Sequence, residues 1–135
     1  MIDIKIKLLD KSLPIPVYAH KTDAGIDLYS TISCVLKPFE RKLIPSGVKL
    51  SIPEGYAGFV LPRSGLAIKN GISLVNSPGL IDSGYRGEIC IIMINLDKEM
   101  DFANPHHQFF PTRYRCHKKS QTIIPCQLIL IYTQC

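Results

Sequence analysis

The chain has 135 residues, a formal net charge of +5, 46% hydrophobic and 20% charged residues, a balance that excludes intrinsic disorder and leaves room for a substantial core. That charge is too mild for the dense Lys/Arg stripe of a nucleic-acid surface, and no apolar run approaches the roughly 18 residues of a membrane span. The N-terminal MIDIKIKLLD alternates instead of forming a secretory apolar stretch, and the five cysteines (Cys34, Cys90, Cys116, Cys126 and Cys135) show no C-x-x-C. A cytoplasmic protein with free thiols, and with neither nucleic acid nor membrane as partner, is expected.

Taken in order, Ile2, Ile4, Ile6 and Leu8 alternate with Asp3, Lys5 and Lys7, the pattern of a half-buried strand. Pro14 and Pro16 then suit an edge or a connector. Ile26-Asp27-Leu28-Tyr29 follows the turn signal Asp23-Ala24-Gly25, and residues 32–36 read as a further strand closed by Lys37-Pro38-Phe39-Glu40. Leu43-Ile44 precedes Pro45-Ser46-Gly47. Val48, Leu50 and Ile52 alternate with polar residues, and Pro53-Glu54-Gly55 turns the chain into Phe59-Val60-Leu61. Only residues 64–70 read as helical, with Ser64 as a cap and Gly71 as the stop. Strand-length segments broken by Gly or Pro every ten residues or so predict an all-β sandwich or barrel.

Residues 74–94, LVNSPGLIDSGYRGEICIIMI, stand out. Turn residues Asn76-Ser77-Pro78-Gly79 and Ser83-Gly84 interrupt apolar runs, Asp82 sits between the turns, and residues 89–94 read as a fully buried strand. Such a loop is either a ligand site on a rigid scaffold or a hairpin whose Asp and Asn satisfy turn backbone. Pro62-Arg63-Ser64-Gly65 ahead of the helix offers a guanidinium, a hydroxyl and a close backbone approach, a set suited to phosphate or equally to a capped surface helix.

Three stretches stand in a telling order. They are Asp23-Ala24-Gly25-Ile26-Asp27-Leu28-Tyr29-Ser30, Pro62-Arg63-Ser64-Gly65-Leu66-Ala67, and Gly79-Leu80-Ile81-Asp82 through Tyr85-Arg86-Gly87-Glu88-Ile89. The set resembles the first three motifs of trimeric dUTPases. The resemblance implies a single-domain, jelly-roll-like β-clip with one short helix, a well-matched core over residues 1–99 and an atypical segment over 100–135. It also implies a homotrimer whose sites lie between subunits, with Mg²⁺-assisted hydrolysis of dUTP to dUMP and pyrophosphate. On that resemblance Asp82 deprotonates the water attacking the α-phosphorus, and Tyr85 packs on the deoxyribose. Asn76, Leu80, Ile81 and Cys90 read uracil through hairpin backbone, while Arg63, Ser64 and Gly65 hold the phosphates. Asp27 arranges the metal through water, in keeping with the reluctance of Mg²⁺ to dehydrate. Two other functions share the pattern in part: a dUTP-binding or interaction module without turnover, and a dCTP deaminase, for which Asp82 and Tyr85 are the wrong set.

The sequence departs from that family in two places. Gly84 stands where an acidic residue is common, at a position expected to face solvent. In the last third, Cys126-Gln127-Leu128-Ile129 is a strained match to the family's fourth motif, with Gln127 as the phosphate-side glutamine, and no glycine follows Gly87 to form a glycine-rich arm. Without that arm, reduced activity is expected. His106, His107, Cys116, His117, Cys126 and Cys135 lack the paired spacing of structural zinc. Arg113, Tyr114, Arg115, Lys118 and Lys119 read as a solvated loop.

Overall fold

A computed structural model describes residues 4–102 and the backbone of residues 103–104 and 126–131. The tail histidines, Cys116, Cys135 and the basic residues between Arg113 and Lys119 lie outside the described residues. In chain order the elements are β1 (Lys5–Leu8), β2 (Gly25–Leu28), β3 (Cys34–Leu36), β4 (Arg41–Pro45), β5 (Val48–Ser51), β6 (Ala57–Leu61), α1 (Ser64–Asn70), β7 (Ile72–Leu74), β8 (Gly79–Ile81), β9 (Cys90–Asn95), β10 (Phe102–Asn104) and β11 (Cys126–Ile131). The strands form a four-stranded sheet β2-β11-β6-β8, a three-stranded sheet β4-β9-β7, and two-stranded ribbons β1-β5 and β10-β3. All registered pairings are antiparallel. Among the described residues this is the all-β, one-helix architecture expected, as an open clip and not a closed barrel.

The core collects one face of each strand. Leu28, Leu36, Ile44, Val48, Ile72 and Met93 are almost wholly enclosed, and each is the inward residue of an alternating pattern. Two readings need correction. β9 is not buried on both faces: its burial alternates from Cys90, half-buried, to Asn95, enclosed, because only one face meets the core. β1 is largely exposed, since it pairs with β5 alone.

Asn95 is the buried polar joint of the fold. Its Nδ2 donates to the carbonyls of Leu36 at 3.0 Å and Met100 at 2.8 Å, and its Oδ1 accepts from Asp97 N–H at 2.9 Å. Its backbone also pairs with residues 39 and 40. With every group bonded, an amide in the core is tolerated. The adjoining turn places Phe39, 61% exposed, at φ 60°, a left-handed conformation that most L-residues avoid.

β11 is a central strand, which the motif match alone did not anticipate. It lies between β2 and β6, with Gln127 opposite Asp27 on one side and Leu61 on the other.

Candidate active site

The helix α1 runs over the expected residues and ends at Gly71, whose φ of 64° is left-handed. Its cap differs from expectation. Arg63 is the N-cap residue, Ser64 is the first helical residue, and no side chain caps the helix. α1 buries none of its residues, so the chain holds it as a surface turn after β6. That placement projects Arg63 back over β2, where its Nη1 donates to Asp27 Oδ2 at 3.2 Å. Burial pushes the Asp27 carboxyl above its ordinary range, Arg63 pulls it back down in part, and Asp23 adds to the rise. Burial and the Asp27 charge likewise raise the Tyr29 hydroxyl.

A second group of residues gathers at a separate place. β7 and β8 do not form a hairpin with each other. β7 pairs with β9 and β8 with β6, so the connection between them crosses from one sheet to the other. The crossing splays the sheets and opens a cavity of about 220 Å³. One wall is Gly79, Leu80 and Ile81 of β8, and the other is Cys90, Ile91 and Ile92 of β9 with Ile89 before them. Consecutive strand residues point to opposite faces, so a wall built from three in a row presents a backbone edge. β8 is the edge of its sheet, and no described strand pairs with its outer side. β7 pairs with residues 93–95 of β9, and Val75 N–H continues the ladder onto the Ile92 carbonyl at 2.9 Å, which leaves only Cys90 and Ile91 at the start of β9 uncovered on that side. Two unpaired strand edges facing one space supply donors and acceptors in fixed register, the backbone equivalent of a base-pairing edge.

Asn76, Asp82 and Tyr85 complete the cavity with Val60 and Leu74. Asp82 is exposed at the end of β8, and its carbonyl accepts from Tyr85 N–H at 3.0 Å, closing a turn over Ser83 and Gly84. Arg86 braces that turn by donating to the carbonyls of Ser83 and Tyr85. Gly84 faces solvent with open space where a Cβ would stand, as expected of the position. Burial, with the Glu88 charge, raises the Cys90 thiol, which keeps it protonated on the cavity wall.

Of the expected site residues, the cavity unites Asn76, Leu80, Ile81, Asp82, Tyr85 and Cys90. Arg63, Ser64, Gly65 and Asp27 are not among its lining residues. They form their own cluster, with the Gln127 backbone in register beside Asp27. Val60, Leu74, Ile91 and Ile92 were not anticipated in the cavity. In sequence they are indistinguishable from core, because lining a cleft and filling a core need the same apolar side chains.

The family model for dUTPase matches residues 11–104, and the chain belongs to the dUTPase family. A deoxyuridine 5'-triphosphate nucleotidohydrolase of Streptomyces avermitilis is 53% identical over 96 residues, 71% of this chain and 55% of the relative. One from Clostridium kluyveri is 52% identical over 97 residues, 72% of this chain and 68% of the relative. The chain spans about half the length of the Streptomyces relatives it matches. Among solved structures, a mutant dUTPase of Staphylococcus aureus phage phi11, studied for coordination of a structural Mg(II) ion, aligns with a TM-score of 0.76 at 25% identity, covering 97% of this chain and 91% of that one. A variant dUTPase of Staphylococcus bacteriophage 80alpha, solved with dUpNHpp, aligns with a TM-score of 0.71 at 30% identity, covering 98% and 91%.

Proposed function

We propose that the chain binds dUTP and hydrolyses it to dUMP and pyrophosphate, with water attacking the α-phosphorus. The observation that carries this reading is the cavity between the edges of β8 and β9, with Asp82 at its rim and Tyr85 beside it. Uracil fits between strand edges whose N–H and C=O groups match its own donors and acceptors. Cytosine would leave one of those groups unpaired, a large penalty in a dry site. Asp82, an exposed carboxylate at the mouth of that space, is the general base that takes the proton of the attacking water. Arg63 is the phosphate-binding cation, with Ser64 and Gly65 offering N–H groups at the start of α1. Gln127 is assigned to the same phosphate-binding set because its backbone on β11 lies in register beside Asp27.

The phosphate cluster and the nucleoside cavity are separate within one chain, which supports a homotrimer in which neighbouring copies complete each site. Among the described residues no three His, Cys, Asp or Glu side chains gather as metal ligands, and Asp27 stands beside Arg63. That donor set fits Mg²⁺ carried on triphosphate oxygens, with Asp27 holding it through water. When bound, the ion would neutralise charge on the phosphates. Cys90 is a free thiol, in keeping with a reducing, cytoplasmic setting, and no helix among the described residues is long and apolar enough to cross a membrane.

The test is pyrophosphate release from dUTP, dCTP and UTP in the presence of Mg²⁺, beside a binding titration. Release from dUTP in strong preference to the others is expected. Ammonia from dCTP would identify a deaminase instead, and dUTP binding without release would identify a binding module.

A further inference from the structure

Tyr85 bounds the cavity, and its hydroxyl is engaged within the chain. It donates to the carbonyl of Glu88 at 2.7 Å, three residues on along its own chain. Glu88 is in turn held to the turn between β4 and β5. Its Oε1 accepts from Gly47 N–H at 2.7 Å, while the next residue, Ile89, exchanges backbone hydrogen bonds with Ser46 and Val48 at 3.2 and 2.9 Å. The ring is therefore tethered through Glu88 to a rigid part of the core, although Tyr85 is itself 45% exposed.

Gly87 makes that tether possible. Its backbone is not left-handed, so nothing about its conformation demands glycine. What demands it is space: a Cβ there would collide with the Tyr85 hydroxyl and the ring carbon that bears it. The obstacle is the far end of a movable side chain. An alanine would thus displace the ring and leave the backbone in place.

We propose that Gly87 and Glu88 are positioning residues that set the Tyr85 ring as a fixed wall against the 2′ position of a bound nucleotide's sugar. A wall discriminates only while it cannot yield. A hydroxyl anchored to its own backbone, with no Cβ behind it, is what stops this exposed ring from swinging aside to admit a ribose. The inference rests on the nucleotide reading above and adds which residues determine its sugar specificity.

The experiment measures the affinities of the full chain for the nonhydrolysable imido analogues of dUTP and UTP, and reads their ratio. The unmodified chain is expected to favour the deoxy analogue. Tyr85→Phe and Gly87→Ala should each shrink the ratio on the order of fivefold, the scale of one net hydrogen bond. Glu88→Gln, which keeps an oxygen for Gly47 N–H, should preserve the ratio, and Glu88→Ala should lower it. A purely structural defect would weaken both analogues alike and leave the ratio unmoved. If Gly87→Ala fails to fold, Tyr85→Phe decides alone. An unchanged ratio in Tyr85→Phe and in every folded Gly87→Ala sample, beside a lost ratio in Tyr85→Ala, would overturn the positioning role while leaving the nucleotide reading intact. No preference in the unmodified chain would sink the nucleotide reading itself, and this inference with it.

Discussion

Arg63 and Asp27, 36 residues apart in sequence, form an ion pair of 3.2 Å across the gap between α1 and β2. The pair is half-open to solvent, and for Asp27 burial outweighs the attraction of Arg63, so its carboxyl is raised and not lowered. A carboxylate whose folded-state pKa exceeds its unfolded value binds protons more tightly when folded. Its contribution to stability is present at low pH and is lost as pH rises through the raised value. At neutral pH the charge on Asp27 therefore opposes folding. Asp27→Asn is expected to melt at the same temperature or higher at pH 7, and to lose that advantage below the ordinary carboxylate range. A lower melting temperature at pH 7 would show that the ion pair outweighs the burial.

Asp82 is expected to act on the chemistry and not on affinity. Asp82→Asn should hold dUTP within a few-fold of the unmodified chain while turnover falls by about 10²-fold or more, the scale of losing a general base. Single-turnover kinetics beside equilibrium binding separates the two. Undiminished turnover would remove Asp82 from the reaction.

Asn95 is expected to be the costliest polar substitution in the core. Asn95→Ala would strand the enclosed carbonyl of Leu36 and the half-buried N–H of Asp97, and a buried orphan costs about 1–3 kcal/mol. Denaturant melts should show a loss of about 2 kcal/mol or more, with the preference among nucleotides unchanged in whatever fraction stays folded. A loss within experimental error would mean that water replaces the amide.

Phe39 offers the opposite case. Its left-handed φ costs an L-residue about 1–2 kcal/mol, which glycine does not incur, although glycine gives back about 0.5–1 kcal/mol through the unfolded chain. The ring is exposed, so its loss sacrifices little burial. Phe39→Gly should leave the melting temperature unchanged or raise it slightly. A fall of several degrees would reveal that the ring packs against another copy of the chain.

Much of this protein was legible in its sequence because local chemistry dictates local structure. Alternating Val48, Leu50 and Ile52 declare a strand with one buried face, and β5 occupies Val48–Ser51. The helix appears over residues 64–70 and stops at Gly71 because that residue alone can turn left-handed there at no steric cost. The ordered motifs likewise announced the family. Tertiary structure alone decided which strand edges meet. The apolar pattern of β7 and β8 is compatible with pairing to each other or to separate sheets, since periodicity specifies a face but not a partner. Their divergence is what opens the cavity and sets the half-buried Ile92, beside the core residue Ile91, along its lining. The placement of Gln127 opposite Asp27, the bond from Gly47 to Glu88 across 41 residues and the tether on Tyr85 depend on the same fact. Contacts between distant segments are settled by which edges and polar groups remain unsatisfied once the core has packed, and no local pattern encodes that remainder.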